Sequence, residues 1–147
     1  MLEARITEDM KTAMRSGDKE ALSAIRMLKS AIKDRQIELR KDLSDEDVMA
    51  LVGKLVKQRR EAARQYAEAG RDDLQAKELK EAEVYAAYLP EPMSQDELDA
   101  LLEAVMTETG AAGMKDMGKV MAEMRTRAAG RADMGALSAM VKARLAA

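Results

Sequence analysis

Two groups of residues in this chain have the types and spacing to do chemistry. The first is cationic. From Gly110 onward, Lys115, Lys119, Arg125, Arg127, Arg131, Lys142 and Arg144 stand against Asp116, Glu123 and Asp133, so the stretch carries 7 − 3 = +4 in a chain of 147 residues whose formal net charge is −2. A local excess of this kind suits a solvated face on a small helical module, or a surface that contacts phosphates. The second group is Arg59 with Glu78 and Glu81. Leu74, Glu78, Glu81 and Tyr85 recur by steps of four, three and four, which puts two carboxylates in one packing row, while Arg59 interrupts the apolar stripe of the preceding helix. The spacing predicts that Arg59 pairs with Glu78 or Glu81 as a structural link across the hairpin around Gly70. Paired carboxylates can also serve as an acid/base pair or bind a metal. With no third carboxylate or histidine close by in sequence, the structural role is the expected one, with no catalytic residue and no metal.

Composition narrows the chemistry further. The chain has no Cys and no His, so disulfides, a thiol nucleophile, thiolate metal sites and the commonest general base are all unavailable. Three tyrosines are the only aromatic residues, while hydrophobic residues make up 47%. Val, Ile and Thr are sparse beside Ala, Leu, Met, Glu, Lys and Arg. This mixture has enough apolar material for a core and favours helix throughout. The fold class expected is all-α: an N-terminal domain of about four helices and a C-terminal domain of three. No long apolar run or secretory leader stands near Met1, so neither membrane insertion nor export is expected and a cytoplasmic location is the default. No cofactor is implied.

The elements that must position these groups can be read in order. A first helix is predicted over Leu2–Met14, ending at Ser16-Gly17-Asp18. Asp18 opens a second, with Ala21, Ala24, Ile25, Leu28, Ile32 and Leu39 on its buried side and Arg26, Lys29, Lys33 and Arg40 as a solvated basic row. Ser44 caps a third, whose first turn is acidic and whose stripe runs from Val48 to Tyr66, with Gly70 as the glycine just past its end. A fourth spans Asp73–Tyr88. Leu89-Pro90-Glu91-Pro92 disfavours helix and marks the domain boundary, giving domains over 1–89 and 93–147. Ser94 and Glu97 form an S-x-x-E capping box for a helix to Thr109, whose exposed side carries Asp96, Glu97, Asp99, Glu103 and Glu108 and no base. That −5 could neutralise the +4 segment that follows it.

The cationic segment itself reads as two short helices joined by a tight turn. Met114, Met117, Met121, Met124 and Ala128 share one face, and Lys115, Lys119 and Thr126 fall on the other. Gly130 ends the first helix and Asp133 caps the next. Gly118 lies beside the methionine face, where it costs about 1 kcal/mol against alanine, which predicts that another backbone crosses close to it.

Several motifs in order resemble the GatB/YqeY proteins over nearly the whole chain: IRMLKSAIKDRQIE (Ile25–Glu38), VKQRREAARQYAEAGRDDL (Val56–Leu74), EAEVYAAYLPEPMSQDEL (Glu81–Leu98), KDMGKVM (Lys115–Met121) and GRAD (Gly130–Asp133). The last three helices look like the tail domain of the B subunit of the tRNA-dependent amidotransferase, which contacts tRNA and is not the catalytic part. Lys115, Gly118, Lys119, Gly130, Arg131 and Asp133 match the tail motif. The resemblance implies phosphate contact for Lys115, Lys119 and Arg131, and backbone shaping for Gly118, Gly130 and Asp133. The chain has no room for that subunit's kinase-like domain and shows no Gly/Ser-rich amidase stretch. At Gly113-Met114 it lacks the Ser or Thr cap common in the family, so the helix there is expected to start loosely.

Three functions follow as expectations. The first is an accessory protein of aminoacyl-tRNA metabolism that binds tRNA through its C-terminal helices. Its acidic pI of about 5.4 and scarcity of aromatics would restrict it to backbone and shape. The second is a component of carbon–nitrogen ligase activity with glutamine as amide donor, acting with amidotransferase or other protein subunits. The third is a non-enzymatic adaptor whose methionine face is an adaptable groove for a partner helix.

Overall fold

The computed structural model describes residues 1–147 and contains seven α-helices and no strand. It divides into two compact units, Met1–Leu89 and Pro90–Ala147.

The first unit holds α1 (Leu2–Ser16), α2 (Lys19–Leu39), α3 (Asp45–Glu68) and α4 (Asp72–Ala86). Local side chains set the helix ends. Gly17 closes α1 with φ +73°, and the Asp18 carboxylate accepts from the Ala21 amide at 3.1 Å to open α2. Ser44 and Asp47 form a reciprocal capping box at the start of α3: Ser44 Oγ accepts from the Asp47 amide at 3.1 Å, and Asp47 accepts from the Ser44 amide at 3.2 Å. The bond from the Ser44 amide holds the Asp47 carboxyl below its ordinary value. Ile6, Ala24, Leu28, Ile32, Val48, Val52 and Tyr85 are buried together. Each fully buried Leu or Ile contributes roughly 1.5–3 kcal/mol.

Two tyrosines, one in α4 and one in the turn just after it, tie this end of the unit into the core by their polar ends. The Tyr85 hydroxyl donates to the Ala24 carbonyl at 2.7 Å, joining α4 to α2. The Tyr88 hydroxyl donates to Asp9 at 2.7 Å, and the Arg5 guanidinium lies 4.9 Å from the Tyr88 ring centroid while donating to the Ala87 carbonyl at 3.3 Å. Burial, with a hydrogen bond to a carboxylate in the case of Tyr88, pushes both phenols above their ordinary value.

The second unit holds α5 (Gln95–Thr109), a 3₁₀ turn at Met114–Asp116, α6 (Met117–Ala128) and α7 (Met134–Ala146). Its core is Leu98, Leu102, Val105 and Met106 of α5, Val120, Met124 and Ala128 of α6, and Leu137, Val141 and Leu145 of α7. Ser94 Oγ accepts from the Glu97 amide at 3.1 Å, but the expected capping box is only half made, because the Glu97 carboxylate is held by Arg131 instead. The proline segment belongs to this unit: the Met93 amide donates to the Arg131 carbonyl and Arg131 Nε to the Glu91 carbonyl, both at 2.8 Å.

Candidate nucleic-acid interface

The six residues of the tail motif gather around the two ends of α6. At its start, Gly113 is extended and the Asp116 carboxylate turns back to accept from the Ala112 amide at 2.9 Å and the Gly113 amide at 3.4 Å. Asp116 thus stands in for the absent Ser or Thr cap, the first turn is 3₁₀, and these amides hold its carboxyl below the ordinary value. Lys115 is exposed on this turn. Lys119, one helical turn on, donates from Nζ to the Thr109 carbonyl at 2.9 Å. That is the last residue of α5, so its ammonium sits where the α5 dipole favours a cation.

Gly118 departs from the expectation of a tightly crossed neighbour. A Cβ built there meets nothing within 4 Å, and the residue is exposed. The α6 face that packs contains Val120, which the methionine pattern passes over, and Gly118 points away from it. The methionine face is also not an open groove. Met124 is fully buried, and Met117 and Met121 pack against the core, while Met114, on the 3₁₀ turn before α6, remains 47% exposed.

At the other end of α6, Ala129 takes the left-handed conformation with φ +48°, followed by Gly130 at +80°. Sequence reasoning assigns this reversal to Gly130 alone. The Asp133 carboxylate accepts from the Ala136 amide at 3.0 Å and opens α7. Arg131 holds the proline segment through the Glu91 carbonyl and pairs with Glu97 at 2.9 Å.

The cations do not form one continuous outward patch, because the acidic helix neutralises several of them. Arg144 meets Glu103 at 2.9 Å, Arg131 meets Glu97, and Arg127 is held by both Glu108 and Glu123, the last at 3.2 Å. Glu103 and Glu108 are held below their ordinary values by hydrogen bonds from Arg144 and Arg127 respectively, and the two guanidiniums are raised in turn. On α5, Glu97 and Glu108 lie about 20° apart around the helix axis and Glu103 about 120° from Glu97. The arginines therefore approach α5 on two flanks. Lys115, Arg125 and Lys142 are exposed and outside these pairs.

The acidic group of the first unit is a different kind of place. Arg59 Nε lies 2.8 Å from Glu81 and 3.7 Å from Glu78, with its guanidinium 5.8 Å from the centroid of the Tyr85 ring. All three charged side chains are largely withdrawn from water, with 18%, 11% and 19% of their surfaces exposed for Arg59, Glu81 and Glu78. The arrangement fastens α3 to α4 and shields the Tyr85 ring.

The comparison with protein families decides which proteins share this pattern: the profile described as Yqey-like protein matches residues 3–145. The chain belongs to the YqeY-like protein family. Among the curated relatives of this YqeY-like chain are fungal proteins that carry the name "Altered inheritance of mitochondria protein 41, mitochondrial". The protein of Saccharomyces cerevisiae strain S288c is 34% identical over 109 residues, 69% of this chain and 59% of its own. That of Eremothecium gossypii is 34% identical over 125 residues, 82% of this chain and 68% of its own. That of Lachancea thermotolerans is 33% identical over 108 residues, 71% of this chain and 58% of its own. The match spans about three fifths of the length of the Saccharomyces relatives. No helix of the chain is long and apolar enough to cross a membrane.

Proposed function

We propose that this YqeY-like chain is an accessory protein of aminoacyl-tRNA metabolism, binding tRNA phosphates through its Pro90–Ala147 unit without taking part in bond chemistry. The observation that carries the reading is the placement of Lys115 and Lys119, neighbours on one exposed edge at the start of α6. Lys115 lies outside the ion pairs, and Lys119 uses one of its three ammonium donors on a backbone carbonyl, leaving two for a phosphate. Arg131 has a smaller part than the motif alone suggests. Its guanidinium is engaged by Glu91 and Glu97, so it acts by holding the Pro90–Met93 segment and reaches RNA only at the edge of the contact. Gly130 and Asp133 shape the α6–α7 reversal.

The resemblance to the amidotransferase tail supports tRNA as the polyanion, and it supports a role beside carbon–nitrogen ligation with glutamine as amide donor, in which partner subunits supply the chemistry. We place the contact in the cytoplasm. The mitochondrial designation of the fungal relatives names the other compartment, and fractionation followed by recovery of bound tRNA decides between them.

The test is a salt titration of tRNA binding by the full chain. Lys115→Ala and Lys119→Ala should each weaken binding at all tRNA sequences alike and lower the slope of log K against log salt by about one unit. Unchanged affinity and slope in the double variant would overturn the assignment.

A further inference from the structure

The two lysines are part of a longer row. Lys115, Lys119, Glu123 and Arg127 follow one another by steps of four, and each step advances about 40° around the helix axis, so they form a shallow ridge from the 3₁₀ turn along α6. Arg127 is the third cation of that ridge, but it is gripped on two sides. Glu123 lies one turn before it at 3.2 Å from Nε, and Glu108 reaches across from α5 to the guanidinium. Carboxylate pairs engage a guanidinium as phosphate oxygens do, through charge-assisted bonds to the same N–H groups. The three side chains remain open to solvent, at 34%, 55% and 46% exposure for Arg127, Glu108 and Glu123, so nothing buries the guanidinium against exchange of partners.

We propose that Glu108 and Glu123 mask Arg127 as a latent phosphate contact, and that releasing it extends the Lys115–Lys119 ridge into a three-cation site. The proposal rests on the tRNA-binding reading above and adds its regulation: the acidic helix limits how much of α6 a polyanion can grip. The pair formed by Arg144 and Glu103 has the same chemistry but joins α5 to α7, off the ridge. It provides the internal control.

The experiment measures tRNA binding by the full chain over a range of salt for four variants. Glu108→Gln/Glu123→Gln should tighten binding and steepen the salt slope by about one unit, the mark of one added phosphate contact. Adding Arg127→Ala to that variant should return the slope to the wild-type value, while Arg127→Ala alone should leave the wild-type slope unchanged. Asp99→Asn/Glu103→Gln makes the same change in net charge off the ridge and should leave the slope unchanged. A control variant that steepens the slope equally, or a gain that survives Arg127→Ala, would overturn the masking. The underlying reading fails separately, if wild-type binding is absent or insensitive to Lys115 and Lys119. Repeating the titration with inorganic polyphosphate then reads the masking of Arg127 without tRNA, and the same Arg127-dependent gain is required.

Discussion

Arg59 in the first unit and Arg127 in the second each lie between two glutamates, and the groups in contact are the same: one guanidinium and two carboxylates, both on the neighbouring helix for Arg59 and one of them for Arg127. Their surroundings differ. Arg59 and Glu81 are mostly removed from water beside the Tyr85 ring, whereas Arg127 and its partners are solvated. A buried pair cannot trade partners, because any lost contact leaves a charge without water or counter-ion. An exposed pair is screened by salt and exchanges readily. The same chemistry is thus a fixed joint in one unit and an adjustable one in the other.

The sharpest way to break that contrast is to remove each arginine in turn. Arg59→Ala leaves Glu78 and Glu81 withdrawn from water with no cation, and should destabilise the first unit by about 3 kcal/mol. Arg127→Ala should leave the unfolding midpoint of the second unit where it is. All three tyrosines, Tyr66, Tyr85 and Tyr88, lie in the first unit, so tyrosine fluorescence during urea unfolding reports that unit alone while circular dichroism reports both. Equal losses from the two substitutions would end the comparison.

Alkaline pH sharpens it from the other side. The folded first unit holds Tyr85 and Tyr88 neutral beyond their ordinary range, mainly through burial, and raises Lys80 through its bond to Glu20. Groups whose folded value is raised contribute stability that is complete below the unfolded value, about 10 for these side chains, and is lost as pH climbs through the folded value. The first unit should therefore weaken above about pH 10. The second has no tyrosine, and Arg127, Arg131 and Arg144, its ion-pairing guanidiniums, stay charged there. Amide hydrogen exchange at rising pH, with tyrosinate absorbance as the marker of phenol ionisation, should show α4 opening first. Parallel weakening of both units would mean that the tyrosines are not what distinguishes them.

What was legible in the chain follows the reach of the forces involved. The ends at Gly17, Asp18, Ser44, Gly70 and Asp133 depend on bonds within a few residues, and a cation inside the stripe of α3 signals a charge that must find partners on the next helix. The engagement of Arg144 by Glu103, and of Glu97 by Arg131 in place of its own cap, is set by how α5, α6 and α7 cross, which no local pattern encodes. A count of +4 therefore described the segment correctly and its exposed surface poorly. Ala129 was hidden for a related reason: a non-glycine residue takes the left-handed conformation only where the fold on both sides fixes it.

The smallest expected effect separates two glycines whose added methyl would meet nothing within 4 Å, Gly53 in α3 and Gly118 in α6. Neither has the positive φ that would strain alanine. Alanine at either position should stabilise its unit by narrowing the unfolded ensemble. Gly53 lies well inside a helix of 24 residues, so Gly53→Ala should gain close to 1 kcal/mol. Gly118 is the second residue of α6, where the amides have no partners within the helix and the helical state is less firmly imposed. Gly118→Ala should therefore gain less, about 0.5 kcal/mol. Amide exchange within each unit gives both numbers, and a loss at Gly118 would restore the close neighbour that its place beside the methionines suggests.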